Sequence, residues 1–468
     1  MNNLELIPTL EAGISQALTT LYGAEAAALP ITLQTTRKEF AGNFTLVTFP
    51  YTRVAKAKPD DIANAIGEFL KREIDIVSDF NVIKGFCNLV IAPSYWQQFL
   101  LSMYQDVNYG RVAPTGEKVV VEFSSPNTNK PLHLGHIRNN LLGWSVAQIL
   151  EASGHEVTKV QIVNDRGIAI CKSMLAWQKF SNGDTPESTG TKPDHFVGKY
   201  YVLFEQKFQA EYKEWQATET GKAIYADKAK DGQSEASFYK EYSKKYFNDY
   251  SKLGQAAKEM LVKWEENDAE VKALWTKMNN WVYAGFESTY ERLGVSFDKL
   301  YYESNTYLLG KDMIEKGLEN ETFFTKEDGS TWVDLTDAKL DEKAVLRKDG
   351  TSLYITQDLG TARLRFDDFG AKKMVYVVAD EQNYHFQVLF EILKRLGEPY
   401  AEGLYHLNYG MVDLPTGKMK SREGTVVDAD DLMDEVIKEA TLASQERENT
   451  SELSQEEKDA IIRKIGLA

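Results

Sequence analysis

The fold is decided by Lys118-Val-Val-Val-Glu122, the loop Ser124-Ser-Pro-Asn-Thr-Asn-Lys-Pro-Leu132, and the segments Gly135 to Ala152 and Val157-Thr-Lys-Val-Gln-Ile-Val163. The first run is short, apolar and rich in valine, as in a strand buried on both faces. The segment from Gly135 has the apolar spacing of a helix and stops at Gly154. The third run is again strand-like. Strand, helix and strand in this order make a βαβ unit, which predicts a parallel sheet with helices on its faces.

Outward from this unit the pattern changes. Upstream, the first 22 residues have helical spacing, and Phe44-Thr-Leu-Val-Thr-Phe49 reads as a strand ending at Pro50. A helix is predicted over 60–73, started by Asp60 or Asp61 after Pro59, and Gly85-Phe-Cys-Asn-Leu-Val-Ile91 reads as a further strand. Residues 1–112 therefore form a small α/β domain, joined through the Pro114 and Gly116 linker. Downstream, the polar loop 181–193 opens a helical, Tyr- and Trp-rich insertion that runs to about 293. Asp328-Gly329 and Asp349-Gly350 each predict a hairpin turn. The parallel pattern resumes with a strand over Lys373–Ala379, a helix from about Asn383 to Leu396 and a strand over Leu404–Tyr409. The expected fold class is α/β. A Rossmann-like parallel-sheet domain spans 113–415, with 416–468 a basic loop and a helical, acidic segment.

Composition narrows the function. The chain has 468 residues, 12 prolines, two cysteines and a net charge of −16. That length exceeds one compact core, and the balance of residue types excludes disorder and collagen-like repeats. No stretch reaches the ~18 apolar residues of a membrane span, and no secretory signal opens the chain. Cys87 and Cys171 cannot make a disulfide framework and suit a reducing, cytoplasmic setting. The acidity argues against wholesale binding of polyanions, although a local basic patch can still bind nucleic acid.

The strongest chemical signal is His133-Leu-Gly-His136. It follows a strand and opens a helix, where free N–H groups and the helix dipole attract anions. Gly135 lets a planar ligand approach, and two imidazoles there can donate to phosphate as charge builds up. A zinc site is not expected, since neither HExxH nor CxxC accompanies the pair. The second signal is Gly417-Lys-Met-Lys-Ser-Arg-Glu-Gly-Thr425, a glycine-flanked basic loop suited to clamping phosphates.

Together these two motifs resemble the HIGH and KMSKS signatures of class I aminoacyl-tRNA synthetases. Val121 to His136, Asn164-Asp-Arg-Gly167, Trp264-Glu-Glu-Asn-Asp268, Tyr354-Ile-Thr-Gln-Asp358 and Gly424-Thr-Val-Val427 are similar to the arginyl-tRNA synthetase forms. The resemblance implies ligation of L-arginine to tRNA(Arg) through an arginyl-adenylate, with ATP and Mg2+. It implies a cytoplasmic monomer without a membrane partner or a metal bound by the protein. It assigns catalysis to His133, His136, Lys130, Lys418 and Lys420, and ATP contacts to Pro131, Gly135 and Ser421. Arginine falls to Glu122, Ser124, Asn127, Tyr354, Asp358 and Gln382. Tyr354 and Asp358 take the guanidinium, a planar fork of five donors that stays charged near neutral pH.

Two departures from the family pattern shape the expectations. Ser421 stands where the general loop motif has lysine, and Lys420 comes one place early, so Lys130 is expected to be the main phosphate cation. The family continues into a helical anticodon-binding domain, so a chain ending near Ile465-Gly-Leu-Ala468 reads as a catalytic fragment. In the family the N-terminal domain helps hold the tRNA elbow, and Asn43-Phe44 and Gly85-Phe-Cys-Asn88 resemble its motifs. The competing functions are a small-molecule nucleotidylyltransferase of the HxGH type and a non-catalytic tRNA-binding paralogue.

Overall fold

The computed structural model describes residues 6–412, 426–445 and 453–468, and the basic loop 417–425 lies outside them. The chain divides into two compact units, Met1–Arg111 and Val112–Ala468.

In the first unit, β1 (Leu33–Thr35), β2 (Phe44–Val47), β3 (Val77–Ile83) and β4 (Phe86–Ile91) form an antiparallel sheet in the order β1-β2-β4-β3. Helices α1 (Leu6–Tyr22) and α2 (Pro59–Glu73) supply the other half of its core, with Leu10, Ile14, Ile62 and Ile66 fully buried. Gly67 sets the spacing of α2 from the sheet, because a Cβ there would lie 2.3 Å from the Phe80 ring. The helix opens one residue earlier than Asp60. Pro59 occupies its first turn, where a missing N–H costs nothing. Asp60 does not cap the helix; its carboxylate accepts from the Gly85 N–H in the β3–β4 turn. A third helix, α3 (Pro93–Gln105), buries no residue.

In the second unit, β5 (Lys118–Glu122), α4 (Leu134–Ala152) and β6 (Glu156–Val163) are the predicted βαβ unit. After α5 (Ile168–Phe180) come five long helices of the insertion: α6 (Pro193–Gln216), α7 (Glu219–Lys228), α8 (Glu235–Asp249), α9 (Lys252–Glu265) and α10 (Ala269–Leu293). The insertion's tyrosines and tryptophans form its own core, for example Tyr212 stacked on Tyr246 at 4.5 Å between centroids. A short strand that sequence patterning missed, β7 (Lys299–Tyr302), then joins the sheet beside β6.

The three strands β8 (Phe324–Thr325), β9 (Thr331–Val333) and β10 (Lys343–Leu346) form a small antiparallel sheet, after the helix α11 (Lys311–Glu319). Asp328-Gly329 turns the β8–β9 hairpin, as expected. Asp349-Gly350 turns the chain back in the same way, with the Arg347 N–H donating to the Thr351 carbonyl at 3.0 Å, but the returning arm is a single bridge long. The chain enters α12 (Tyr354–Phe369) directly afterwards, and one isolated bridge, Leu346 to Ser352, closes the turn. The sheet is completed by β11 (Lys373–Ala379), α13 (Asn383–Arg395) and β12 (Leu404–Tyr409). Helices α14 (Ala429–Gln445) and α15 (Gln455–Leu467) end the described chain.

The five parallel strands run in the order β12-β11-β5-β6-β7. The first strand is central, and the chain builds outward on one side before crossing to the other. This is the Rossmann-like, doubly wound order, with its switch point between β5 and β11. Ligands of such sheets bind in the crevice beyond the strand ends at that point. Gly143 brings α4 close to the crevice wall, since a Cβ there would meet Phe123 at 2.3 Å.

Candidate active site

The loop after β5 enters the crevice on strained backbone. Ser124 and Ser125 have φ of 75° and 47°, two consecutive non-glycine residues in the left-handed region. Such strain costs about 1–3 kcal/mol per residue and persists only where neighbours enforce it. Asn139 on α4 does so: its side chain accepts from the Ser124 N–H and donates to the Val377 carbonyl at 2.7 Å and the Tyr409 hydroxyl at 2.9 Å. One buried side chain thus ties β5, β11 and β12 together at the switch point.

His133 is the N-cap of α4. Its Nδ1 accepts from the Gly135 N–H, and His136 Nδ1 accepts from the His133 N–H, both at 3.1 Å. Each imidazole therefore carries its proton on Nε2, the nitrogen left for a ligand. The rings lie 4.0 Å apart. Burial, with Lys130 adding repulsion, pushes His133 down to about 4. Burial, His133 and Lys130 hold His136 well below its ordinary range. Near neutral pH the pair is uncharged. The two rings offer N–H dipoles, while the cation beside them is Lys130.

The candidate carboxylates lie at strand ends and on a helix face. Glu122, at the end of β5, is 7% exposed and forms an ion pair with Arg365, which is 2% exposed. Ser125 Oγ also donates to it, at 3.1 Å. Tyr354 and Asp358 fall one turn apart on one face of α12. Tyr354 is 75% exposed, so it is no core aromatic. Asp358 does not cap a helix; it meets His385 Nε2 at 2.7 Å.

A third carboxylate escaped the sequence reading. Glu303 directly follows β7. Burial pushes it up to about 7; Arg166 pulls it down, and Asp165 and Asp358 push it further up. The only signal available was an acid just past a strand, and that strand was itself overlooked.

The other predicted residues divide. Asn127 is exposed in the crevice, on a parallel bridge to Asn164 after β6. Gln382 is exposed after β11, in the turn Asp380–Gln382. Ser124 faces inward instead, with its hydroxyl 2.7 Å from Tyr290, which also accepts from Gln161. Lys130, Pro131 and His133 line a cavity of about 170 Å³ together with His195, Gly198 and Val426. Gly198 admits α6 this close, because a Cβ there would lie 2.7 Å from Pro131. Gly135 sits in the first turn of α4. Lys418, Lys420 and Ser421 lie outside the described residues. In the first unit, Asn43 and Asn88 are committed internally: Asn43 accepts from the Ile91 N–H, and Asn88 accepts from Thr45.

Among the described residues, one trio has the spacing of a metal site: Asp194, His195 and Asp430. Lys192 Nζ lies 3.1 Å from Asp194 and 2.6 Å from Asp430. An ammonium already balances these carboxylates, so a divalent cation does not fit there. No helix among the described residues is long and apolar enough to cross a membrane.

The chain matches the family model for tRNA synthetases class I (R), catalytic domain, over residues 98–223 and 219–468. It is 53% identical over 460 residues to the "Arginine--tRNA ligase" of Bacteroides thetaiotaomicron, covering 98% of this chain and 73% of that protein. The protein of the same name from Amoebophilus asiaticus is 51% identical over 455 residues, covering 97% and 72%. Among solved structures, Thermus thermophilus arginyl-tRNA synthetase superposes with a TM-score of 0.58 at 19% identity, covering 99% of this chain and 74% of that one. The Plasmodium falciparum arginyl-tRNA synthetase gives 0.52 at 16% identity, covering 98% and 72%. These two show the shared fold, and the closer sequence matches show the lineage: the chain belongs to the class I arginyl-tRNA synthetases.

Proposed function

We propose that the chain ligates L-arginine to tRNA(Arg) in two steps at the β5–β11 switch point. The arginine carboxylate attacks the α-phosphorus of Mg-ATP, forming arginyl-adenylate and releasing pyrophosphate. The 2′-hydroxyl of the tRNA's terminal adenosine then attacks the arginyl carbonyl, and AMP leaves. Mg2+ enters as part of the nucleotide substrate. The small-molecule nucleotidylyltransferase reading is not favoured, because the arginine-type family model runs through the insertion as well as the sheet.

The residues divide this work by charge. Asp358 and Glu303 receive the guanidinium, with Tyr354 over it. Glu122, fixed by Arg365 and Ser125, and the exposed Asn127 and Gln382 address the amino-acid end. Ser124 acts as scaffold through Tyr290. His133 and His136 give neutral N–H donors to the phosphates, Lys130 gives the main cation, and Pro131 and Gly135 border the nucleotide. Lys418, Lys420 and Ser421 supplement them from the basic loop. The protein contributes mainly positioning and charge stabilisation. The N-terminal unit contacts tRNA, and the enzyme works as a cytoplasmic monomer.

One observation carries this reading. A paired-imidazole helix N-terminus follows β5, and the carboxylates of Glu122, Glu303 and Asp358 stand at the ends of β5 and β7 and on α12, which supports an adenylating site for a cationic amino acid. The test is arginine-dependent ATP–pyrophosphate exchange with and without tRNA(Arg), with lysine and citrulline as controls. Exchange with arginine alone among the amino acids is expected. Exchange with citrulline at a similar rate would remove the case for a guanidinium site.

A further inference from the structure

The segment that returns from the basic loop is stitched to the HLGH element. The Leu134 N–H donates to the Val427 carbonyl at 2.9 Å and the Ala429 N–H donates to the Leu132 carbonyl at 3.1 Å, which together make the antiparallel bridge between His133 and Asp428. These two hydrogen bonds are backbone pairings on a short, isolated segment, which by themselves open readily. What lies behind them is a charged cluster contributed by the helical insertion.

Asp430 is its hub. Its buried carboxylate accepts from Lys192 Nζ at 2.6 Å, from Arg292 at 2.8 Å and from Thr289 Oγ1 at 3.1 Å. Lys192 also donates to Thr289 and to the fully buried Asp194. Asp194 has room only because residue 285 on α10 is glycine: a Cβ there would lie 2.4 Å from its carboxylate. His195 Nε2 lies 3.2 Å from Asp428, whose other oxygen accepts the Asp430 and Asp431 N–H groups at the start of α14. Buried ion clusters of this kind add little net stability but fix geometry, since removing one member strands the others.

We infer that Lys192, Thr289 and Arg292 are positioning residues. Through Asp430 they fix segment 426–430 against the backbone of Leu132–Leu134, so that the helical insertion sets the geometry of the phosphate end of the site. None of the three touches the reacting atoms. The kinetic part of this inference rests on the function proposed above; its structural part does not.

The experiment compares Asp430→Asn and Lys192→Met with two controls. Lys192→Arg keeps the charge, and Glu398→Gln breaks a different buried ion pair, that with Arg363. Hydrogen exchange is read on peptides containing Leu134 and Ala429. Both test variants should exchange at least ~10-fold faster there, while Lys192→Arg and Glu398→Gln stay at the wild-type rate. In arginine-dependent pyrophosphate exchange with tRNA(Arg) present, the test variants should lose ~10-fold in kcat/KM for ATP, with the KM for arginine within about twofold. Wild-type exchange rates at Leu134 and Ala429 in both test variants would overturn the inference. So would an equal rise in both KM values. A wild-type enzyme without arginine-dependent activity would overturn the proposed function, and the hydrogen-exchange arm would still decide this one. Lys192→Met covers the case in which Asp430→Asn fails to fold.

Discussion

The two ends of the crevice use burial in opposite ways. At the proposed phosphate end, burial strips the proton from His133 and His136 and leaves neutral donors in place. At the proposed guanidinium end, burial holds Glu303 near half-protonation, and the result is useful only once a cation arrives. One end is finished before substrate binds. The other is completed by the substrate, which is how a site distinguishes a permanent cation from a neutral isostere.

The sharpest way to break this contrast is Asp358→Asn. It removes a carboxylate that substrate must neutralise, and kcat/KM for arginine should fall on the order of 10³-fold, with KM for ATP nearly unchanged. Steady-state exchange kinetics with each substrate varied in turn would show it, and a uniform loss in both would erase the distinction between the ends. His136→Ala should cost ~10²–10³ in rate, as for the loss of a preorganised donor, without a matching rise in arginine KM. An activity within threefold of wild type would mean the imidazoles only cap the helix.

Smaller effects come with pH. Guanidinium binding favours ionised Glu303, whose carboxyl stands at about 7 in the free protein. The arginine KM should therefore rise by up to ~10-fold per pH unit below 7, and Glu303→Gln should flatten that slope. His133, at about 4, predicts no such break near neutrality.

Stability gives the smallest and most diagnostic signal. Glu303 is raised from an ordinary 4.5, so the unfolded chain releases its proton first, and stability falls as pH rises from about 4.5 to 7. His133 is lowered from an ordinary 6.5, so stability falls as pH drops from 6.5 towards 4. The two slopes oppose each other over the shared window. His136, also held low, adds a second slope of the histidine sign, so wild-type denaturation midpoints should rise with pH there. Glu303→Gln should steepen that rise and His133→Asn should flatten it, each by on the order of 1 kcal/mol per pH unit. Matching slopes in both variants would refute the assignment.

Local features were the legible ones. The valine run, the histidine motif and the helix after it lie within a few dozen residues, and periodicity and capping chemistry speak at that range. The tyrosine-rich insertion was legible as a helical unit because its aromatics recur at helical spacing. Asp358 was reached through family resemblance, and its place on a helix face came only with the fold. Glu303 was hidden behind β7, four residues long and opening on Lys299, too short and too charged to read as a strand. Arg365 was hidden by its own type: an arginine within a helix pattern reads as solvated, and only the approach of α12 to β5 shows it neutralising Glu122. The Lys192 cluster joins positions more than two hundred residues apart, beyond any spacing rule. The second Asp-Gly dipeptide specified its turn but not the length of the returning arm, which is one bridge before α12 begins.

The strand order has a consequence for how the molecule comes into being. Val121 of the central strand pairs with Val375, about 250 positions later. At ~5–20 residues per second, a ribosome takes roughly ten to fifty seconds to deliver β11 after β5 has emerged. Throughout that interval one edge of the valine strand lacks its partner, while the sheet of the first unit, whose strands are all made earlier, is already complete. Half of the substrate crevice therefore waits as an open template, and the nascent chain must shield it from other strands until its own arrives.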